Sequence, residues 1–572
     1  MSTTPLESEP LLEMDDIQGN ILAGFNKDHQ AFIFLEIDDG GGEPARRWAK
    51  EWVTRIVPQI ATAAEVHRFN QLFRTLRARR GEDPAGLVAT WINIAFTVSG
   101  VRKLVSPEEA AKFGDAYFGL GMRMETAPSM MDAIDPSLSA HPGHVDKWLF
   151  GGTRTPVDLV VIVASDNRCV LQAEVARIEA GLAAGGPPGA LRRVHTQWGG
   201  TLPSPLVGHE HFGFKDGVSQ PGIRGRIAPG EPLTRRVIDP ADPQQQNDEL
   251  PELARPGQPL LWPGQFVFGY ERQDSDDSRA PSTTRPAAAV PVWARNGSYL
   301  VCRRLRQDVG AFDRFVANTA AYLAVQVPAF ASITPERFAA LLVGRWPSGA
   351  PIMRIPASGQ DDPALGETEL AHNHFNFVAD TVPLRLLPEF AGKDGNFPQA
   401  QADNGGGRCP FSAHIRKVNP RDNDTEKGPP PNTLTRLVLR RGIPFGDPLP
   451  DRARPENDPL NGERGLMFLC YQTSIREQFI VLNAEWANDS TNPNAGGGHD
   501  PLIGQTNLRG VRDRVFQLSV PQADPVEVPL LEEWVIMTGG DYFFAPGILA
   551  LRAAFGGRPE DLEALVRELE TR

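Results

Sequence analysis

VDLVVIVASDNRCVLQAEVARIEAGLAA, residues 157–184, decides the fold class. Its first nine residues form a Val- and Ile-rich apolar run too short for a helix, so they predict a buried strand. Asp166 or Asn167 can then cap a helix that ends near Gly185-Gly186. Working outward, AFIFLEI (31–37) predicts another strand, the helical spacing of apolar residues over 44–66 predicts a helix, and WINIAFTV (91–98) predicts a third strand. Strand, helix, strand, strand, helix is the rhythm of a ferredoxin-like α+β unit.

The rhythm returns after residue 297. SYLVCRRLRQ (298–307) predicts a strand and 308–325 a helix capped by Asp308. LTRLVLRR (434–441), GLMFLCYQ (465–472) and DYFFAPG (541–547) predict three more strands, with a helix over about 473–487 between the last two. Two related halves are expected, although no sequence repeat marks a duplication. Their expected bounds are 1–230 and 296–572, separated by a Pro- and Asp-rich insert at 231–295. Three long stretches read as loops: 224–292, 393–432 and 488–505. Loops of that length in a compact protein carry function or lack order.

A chain of 572 residues exceeds what one hydrophobic core usually supports, which agrees with two units. Hydrophobic residues at 41% and charged residues at 23% describe a soluble globular protein. The formal charge of −13 argues against nucleic acid as a partner, and the Arg pairs are scattered. No apolar run reaches the length of a membrane span, so no membrane partner is expected. The first twenty residues carry neither a basic nor an apolar signal segment. Cys169, Cys302, Cys409 and Cys470 lie far apart with no CxxC, which suits reduced thiols; a cytoplasmic address is expected. The sequence is compatible with a homo-oligomer and does not specify one.

Two segments carry candidate chemistry. In CPFSAHIRKVNPRD (409–422), His414 is followed by Arg416, Lys417 and Arg421. One imidazole nitrogen for a metal and guanidinium forks for carboxylates suit an anionic, metal-bearing cofactor, and haem fits that description. Cys409 is a competing thiolate ligand. In GFKDGVSQPG (213–222), Asp216 sits between glycines that leave room for a small ligand; the competing reading is an acid capping a surface turn. His372 and His374 form an HxH pair with no third ligand nearby, so a structural role is expected for them.

IQGNILAGFNKD (17–28), HFGFKDGVSQPGI (211–223), AHIRKVNPR (413–421), LRRGIPFG (439–446) and GLMFLCYQTSI (465–475) together resemble the dye-decolorizing peroxidase family, in the same chain order. The long 224–292 segment and extended N-terminus are similar to its larger bacterial and fungal subgroup. The resemblance implies two ferredoxin-like domains with haem b in the C-terminal one. By motif position His414 corresponds to the iron ligand, Asp216 to the distal acid and Arg440 to the distal arginine, with Arg441 as the adjacent alternative. Asp500 corresponds to the acid that accepts from the other nitrogen of His414, with Glu485 as fallback. Arg421 matches a propionate contact, and Arg416 offers a second cation for the cofactor. Leu466 and Phe468, two apart on a strand, either narrow the distal pocket or simply pack the core.

The implied activity is reduction of hydrogen peroxide and one-electron oxidation of dyes, phenols or other bulky aromatic donors through an oxoferryl intermediate. The competing function is a haem-binding or iron-releasing, deferrochelatase-like protein with little turnover. Large donors are expected to react at the haem edge or through surface aromatics, with Trp262 and Tyr471 as relay candidates.

Overall fold

The computed structural model describes residues 6–571 except 39, 82, 83, 85, 124–129, 235–252, 256, 283–288, 356–358, 382–396, 459–461, 495, 506–513 and 521–522. Most of the notional insert at 231–295 up to residue 252 therefore lies outside the described residues.

Nine strands form one sheet: β1 (His29–Ile37), β2 (Thr90–Phe96), β3 (Leu159–Ser165), β4 (Leu191–Gly200), β5 (Ser298–Gln307), β6 (Leu439–Arg440), β7 (Ile443–Phe445), β8 (Gly465–Gln472) and β9 (Val535–Ala545). The order across the sheet is β6-β8-β5-β9-β2-β3-β1-β4, with β7 also pairing β8, and every pairing is antiparallel. Within each half the strands lie in the order second, third, first, fourth. Helices follow the first strand (α1, Gly42–Ile56; α2, Ala63–Arg80) and the third (α3, Arg168–Ala183). In the other half α4 (Val309–Gln326) follows β5 and α6 (Ile475–Ala487) follows β8, with the short α5 (His414–Val418) on the crossover between them. Each half is thus a βαββαβ, ferredoxin-like unit, and the duplication is visible in topology where the residues had lost it.

The halves join at Phe544 opposite Phe96. The outer edges also approach: a side chain at Gly199 in β4 would meet Ile443 at 2.8 Å and the Pro444 carbonyl at 3.0 Å in β7, so the sheet curls towards a barrel. Alternation along β1 shows why. Ile33 and Leu35 pack under the helices with Trp48, Trp52, Val175 and Ile178, whereas Phe32 and Phe34 face inward with Phe150, Met467 and Phe543.

Local chemistry corrects several expectations. The helix expected over 44–66 ends at Ile56 before Pro58, and a second begins at Ala63 with a capping box between Thr62 and Glu65. Asn167 is the cap of α3, while Asp166 pairs with Lys27 at 2.5 Å. Only Leu439 and Arg440 of LTRLVLRR are strand, because Pro429 to Leu434 turn helically just before. Strand β9 starts at Val535, six residues earlier than expected. The helix after β8 is π-helical, with its last amide, Asn488, bonded to the Asn483 carbonyl. Residues 260–268, within the stretch read as a loop, are buried core.

Candidate active site

On the β5/β8 ladder Arg303 lies opposite Phe468 and Leu305 opposite Leu466, so alternation sends all four side chains to one face. They form part of the wall of a cavity of about 300 Å³. On β6, Arg440 lies opposite Cys470 and reaches the same cavity. Its neighbour Arg441 points the other way and donates to the carbonyls of Asn20, Ile21 and Leu22. Alternation therefore separates the two arginines that the motif alone could not.

The turn at 213–217 brings Asp216 to the cavity. Gly213 and Gly217 both have positive φ, 100° and 72°, a backbone region open to glycine at no steric cost. The Asp216 carboxylate accepts from Arg440 Nη1 at 2.8 Å and from the Gly217 amide at 2.6 Å. Arg440 Nη2 donates to the Ser219 carbonyl at 3.0 Å, and the Gln220 amide bonds both backbone groups of Arg440. Burial favours the neutral acid, but Arg440, the Gly217 amide and His414 outweigh it, and the Asp216 carboxyl lies below its usual range.

His414 opens α5 and also lines the cavity. Its Nδ1 donates to Asp500 Oδ2 at 2.8 Å, which leaves Nε2 for a metal. Asp500 has no exposed side chain, and its second oxygen accepts the amides of Leu502 and Ile503, both at 2.9 Å. Burial raises the Asp500 carboxyl, yet His414 and these amides bring it below the usual range. Burial likewise opposes protonation of His414, and Asp500 more than compensates. Glu485, the fallback, instead pairs with Lys427 at 2.5 Å and with Arg476.

Haem requires a metal ligand, apolar walls and cations for two carboxylate arms, and the lining meets each need. Val218, Leu305, Ile415, Leu466, Phe468 and Leu502 supply apolar surface. Arg345 and Arg421 line one side, and among the described residues neither is ion-paired. Arg421 donates to the carbonyls of Asn373 and Phe375 and to Asn373 Oδ1, with its guanidinium 3.6 Å from the Phe375 ring centre. Arg345 donates to the carbonyls of Gly349 and His372 and to Asn373 Oδ1. Asp422 acts on Arg421 only at a distance, since its oxygens accept the amides of Phe377, Val378 and Ala379. Burial pushes both guanidinium groups down to about 9. Two buried positive charges held by neutral carbonyls match a dianionic ligand. Arg345 was not legible in the sequence, because nothing in GRWPSG separates it from a surface arginine.

Arg416 does not join this set. It is buried away from the cavity, paired with Asp403 at 3.0 Å, bonded to the Cys409 carbonyl and stacked between Phe377 and Phe411. The expected cofactor contact is a structural ion pair. Arg416→Met should leave the buried Asp403 carboxylate without its cation, held only by the amides of Gly407, Arg408 and Cys409, and lower unfolding stability by about 3 kcal/mol, measurable by denaturant titration.

The remaining candidates fall outside the site. His372 and His374 are buried in turns rather than presented by a strand; burial pushes His372 down to about 4, and no metal cluster occurs among the described residues. Cys409 is buried, does not line the cavity and is pushed up to about 12 by burial, which disfavours a thiolate ligand. Trp262 and Tyr471 are both buried, so neither presents a surface for a bulky donor. Glu210, which the sequence reading passed over, lines the cavity beside Asp216.

A family model described as the DyP dimeric alpha+beta barrel domain matches residues 16–195. A dye-decolorizing peroxidase from Mycena epipterygia is 30% identical over 563 residues, spanning 95% of this chain and 88% of its relative. A solved ancestral D-type dye-decolorizing peroxidase superposes with a TM-score of 0.71 at 30% identity, over 96% of this chain and 100% of the other. A dye-decolorizing peroxidase solved with 2,6-dimethoxyphenol gives 0.66 at 26% identity, over 96% and 100%. The chain belongs to the dye-decolorizing peroxidase family.

Proposed function

We propose that this chain is a haem peroxidase in which His414 binds the iron and Asp216 and Arg440 handle the peroxide. The observation that carries this reading is the convergence of two polar pairs, His414–Asp500 and Asp216–Arg440, on one otherwise largely apolar cavity. Haem held there supplies a redox-active iron and ring that accept oxidising equivalents from hydrogen peroxide. The protein's own groups do the rest. Asp216, ionised, takes the proton from the peroxide oxygen nearer the iron and returns it to the farther oxygen, which leaves as water. Arg440 keeps Asp216 ionised and aimed, and its positive charge favours the negative charge that develops on the departing oxygen. Asp500 fixes the tautomer of His414 and increases its basicity at Nε2.

In this reading Leu466 and Phe468, which line the cavity, narrow it on the peroxide side, and phenols and dyes are oxidised at an outer edge of the site. Aromatic donors are the substrate class, by analogy with the relative solved with 2,6-dimethoxyphenol. The cofactor in this reading is haem b, coordinated by His414 and held by contacts with the cavity lining. Arg345 and Arg421 are its carboxylate partners. Among the described residues no helix is long and apolar enough to cross a membrane. All four cysteines are free thiols, which suits the reducing, cytoplasmic setting we propose.

The test is an absorption spectrum of haem-loaded protein before and after one equivalent of hydrogen peroxide. A Soret band that changes on addition, and is restored by a phenol, supports the assignment; a band that peroxide leaves unmoved overturns it. Arg440→Leu carries a signed expectation. With Arg440 gone, burial prevails and the Asp216 carboxyl rises, so the base is lost at higher pH. The acid limb of the rate profile for peroxide should move upward, while in the wild type it lies below the ordinary Asp value.

A further inference from the structure

We propose that Glu210 is the positioning residue of the distal turn: its carboxyl group fixes where Asp216 stands. The proposal rests on the peroxidase reading above. Glu210 Oε1 accepts the Phe214 amide at 2.9 Å, and Oε2 accepts the Phe212 amide at 2.8 Å together with Gln307 Nε2. Its backbone closes the same turn, the Glu210 amide donating to the Phe214 carbonyl and the Gly213 amide to the Glu210 carbonyl. Two residues later the Asp216 amide donates to the Gly208 carbonyl. One carboxylate therefore gathers both amides that flank Gly213 and bolts them, through Gln307, to β5.

Other bonds anchor the ends of the turn, from the Lys215 amide to the Pro347 carbonyl, from Lys215 Nζ to the Gly366 carbonyl and from His211 Nε2 to the Phe445 carbonyl, but among the described residues only Glu210 accepts the Phe212 and Phe214 amides. Phe212 stacks on Phe312, and Arg452, paired with Asp313, donates to the Phe212 carbonyl. Without Glu210, two amides inside the protein and Gln307 Nε2 lose their acceptor, and the turn must move to find another.

Glu210 acts on Asp216 through this turn and not through its charge. Both acids line the cavity; burial and the charge on Asp216 hold the Glu210 carboxyl above its usual range, so Glu210 is already neutral where Asp216 takes up its proton. The other charged or titratable groups around Glu210 are otherwise engaged. His211 is bonded to the Phe445 carbonyl and pushed down to about 4 by burial, Lys215 Nζ donates to the Gly366 carbonyl, and Arg452 is paired as above. Exchanging the Glu210 carboxyl for an amide of the same shape should therefore leave the titration of Asp216 where it is. Gln307 permits that exchange. Its Oε1 has no partner, so a flipped Gln307 amide can accept from a glutamine at 210, which then keeps two of the three bonds.

The experiment compares wild type, Glu210→Ala and Glu210→Gln. Amide exchange over 208–218 is followed in the protein without added peroxide, and the rate of reaction with hydrogen peroxide is followed against pH in the haem-loaded form. Glu210→Ala should expose the Phe212 and Phe214 amides to exchange and slow the peroxide reaction by at least about tenfold, since displacements of about 1 Å can cost more than that. Glu210→Gln should recover most of the rate and leave the acid limb unmoved. A folded Glu210→Ala protein with wild-type rate and protection would overturn the proposal. So would full wild-type protection of both the Phe212 and Phe214 amides in Glu210→Gln, which can keep only two of the three bonds; that readout decides the matter should the alanine variant fail to fold. Wild-type protein inert to peroxide would instead defeat the peroxidase reading, while the exchange data would still report on the turn.

Discussion

Asp216→Asn should slow the reaction with hydrogen peroxide by roughly 10²- to 10⁴-fold, the range that general acid–base catalysis by a placed side chain usually contributes. Asparagine is nearly isosteric and can still accept from Arg440 Nη1 and the Gly217 amide, so the turn should survive. What disappears is the lone pair that accepts a proton near neutral pH. Stopped-flow measurement at low peroxide concentration reads the loss, and an unchanged Soret band in the resting protein shows that haem is still bound. The defect should not diminish at higher pH, because an amide does not ionise there. Retention of wild-type rate by a folded, haem-loaded Asp216→Asn protein would remove Asp216 from the chemistry.

His414→Ala should weaken haem binding by more than the roughly 10- to 100-fold that loss of a supporting partner costs a metal site. The substitution removes the ligand and also strands Asp500, whose Oδ2 then faces the emptied space without its donor. Haem titration followed at the Soret band reads the affinity. Added imidazole, small enough for the vacated volume, should restore part of the band, whereas Arg416→Met should leave the haem titration unchanged. Undiminished affinity in His414→Ala would place the iron on another ligand.

How much of this was legible in the sequence depended on whether the signal was local. The strands of the β5/β8 pair were readable because apolar runs of strand length are self-contained, and Asp308 marked its helix start as caps do. The break at Pro58 and the brevity of β6 were missed because periodicity extends smoothly across a kink that Pro and the preceding turn impose. At the site, Asp216, His414, Arg440 and Asp500 were named from motifs, and the geometry brings all four together. Arg416 misled because proximity in sequence to His414 does not fix direction: on a helix two positions on, its side chain leaves for Asp403. Arg345 and Glu210 carried no local mark at all, since their roles arise from burial and from partners up to about a hundred residues away.

The contact between Asp216 and Arg440 joins residues 224 positions apart, and it bridges the two topological halves of the sheet. Pairings over such distances form late, because the intervening chain must first be ordered. During synthesis the distal acid emerges long before its arginine or the iron ligand. A chain interrupted anywhere between them lacks the means to cleave peroxide, whatever else it has folded. If Asp216, His414 and Arg440 act as proposed, no oxidant is generated before Arg440 has been synthesised and the two halves have met.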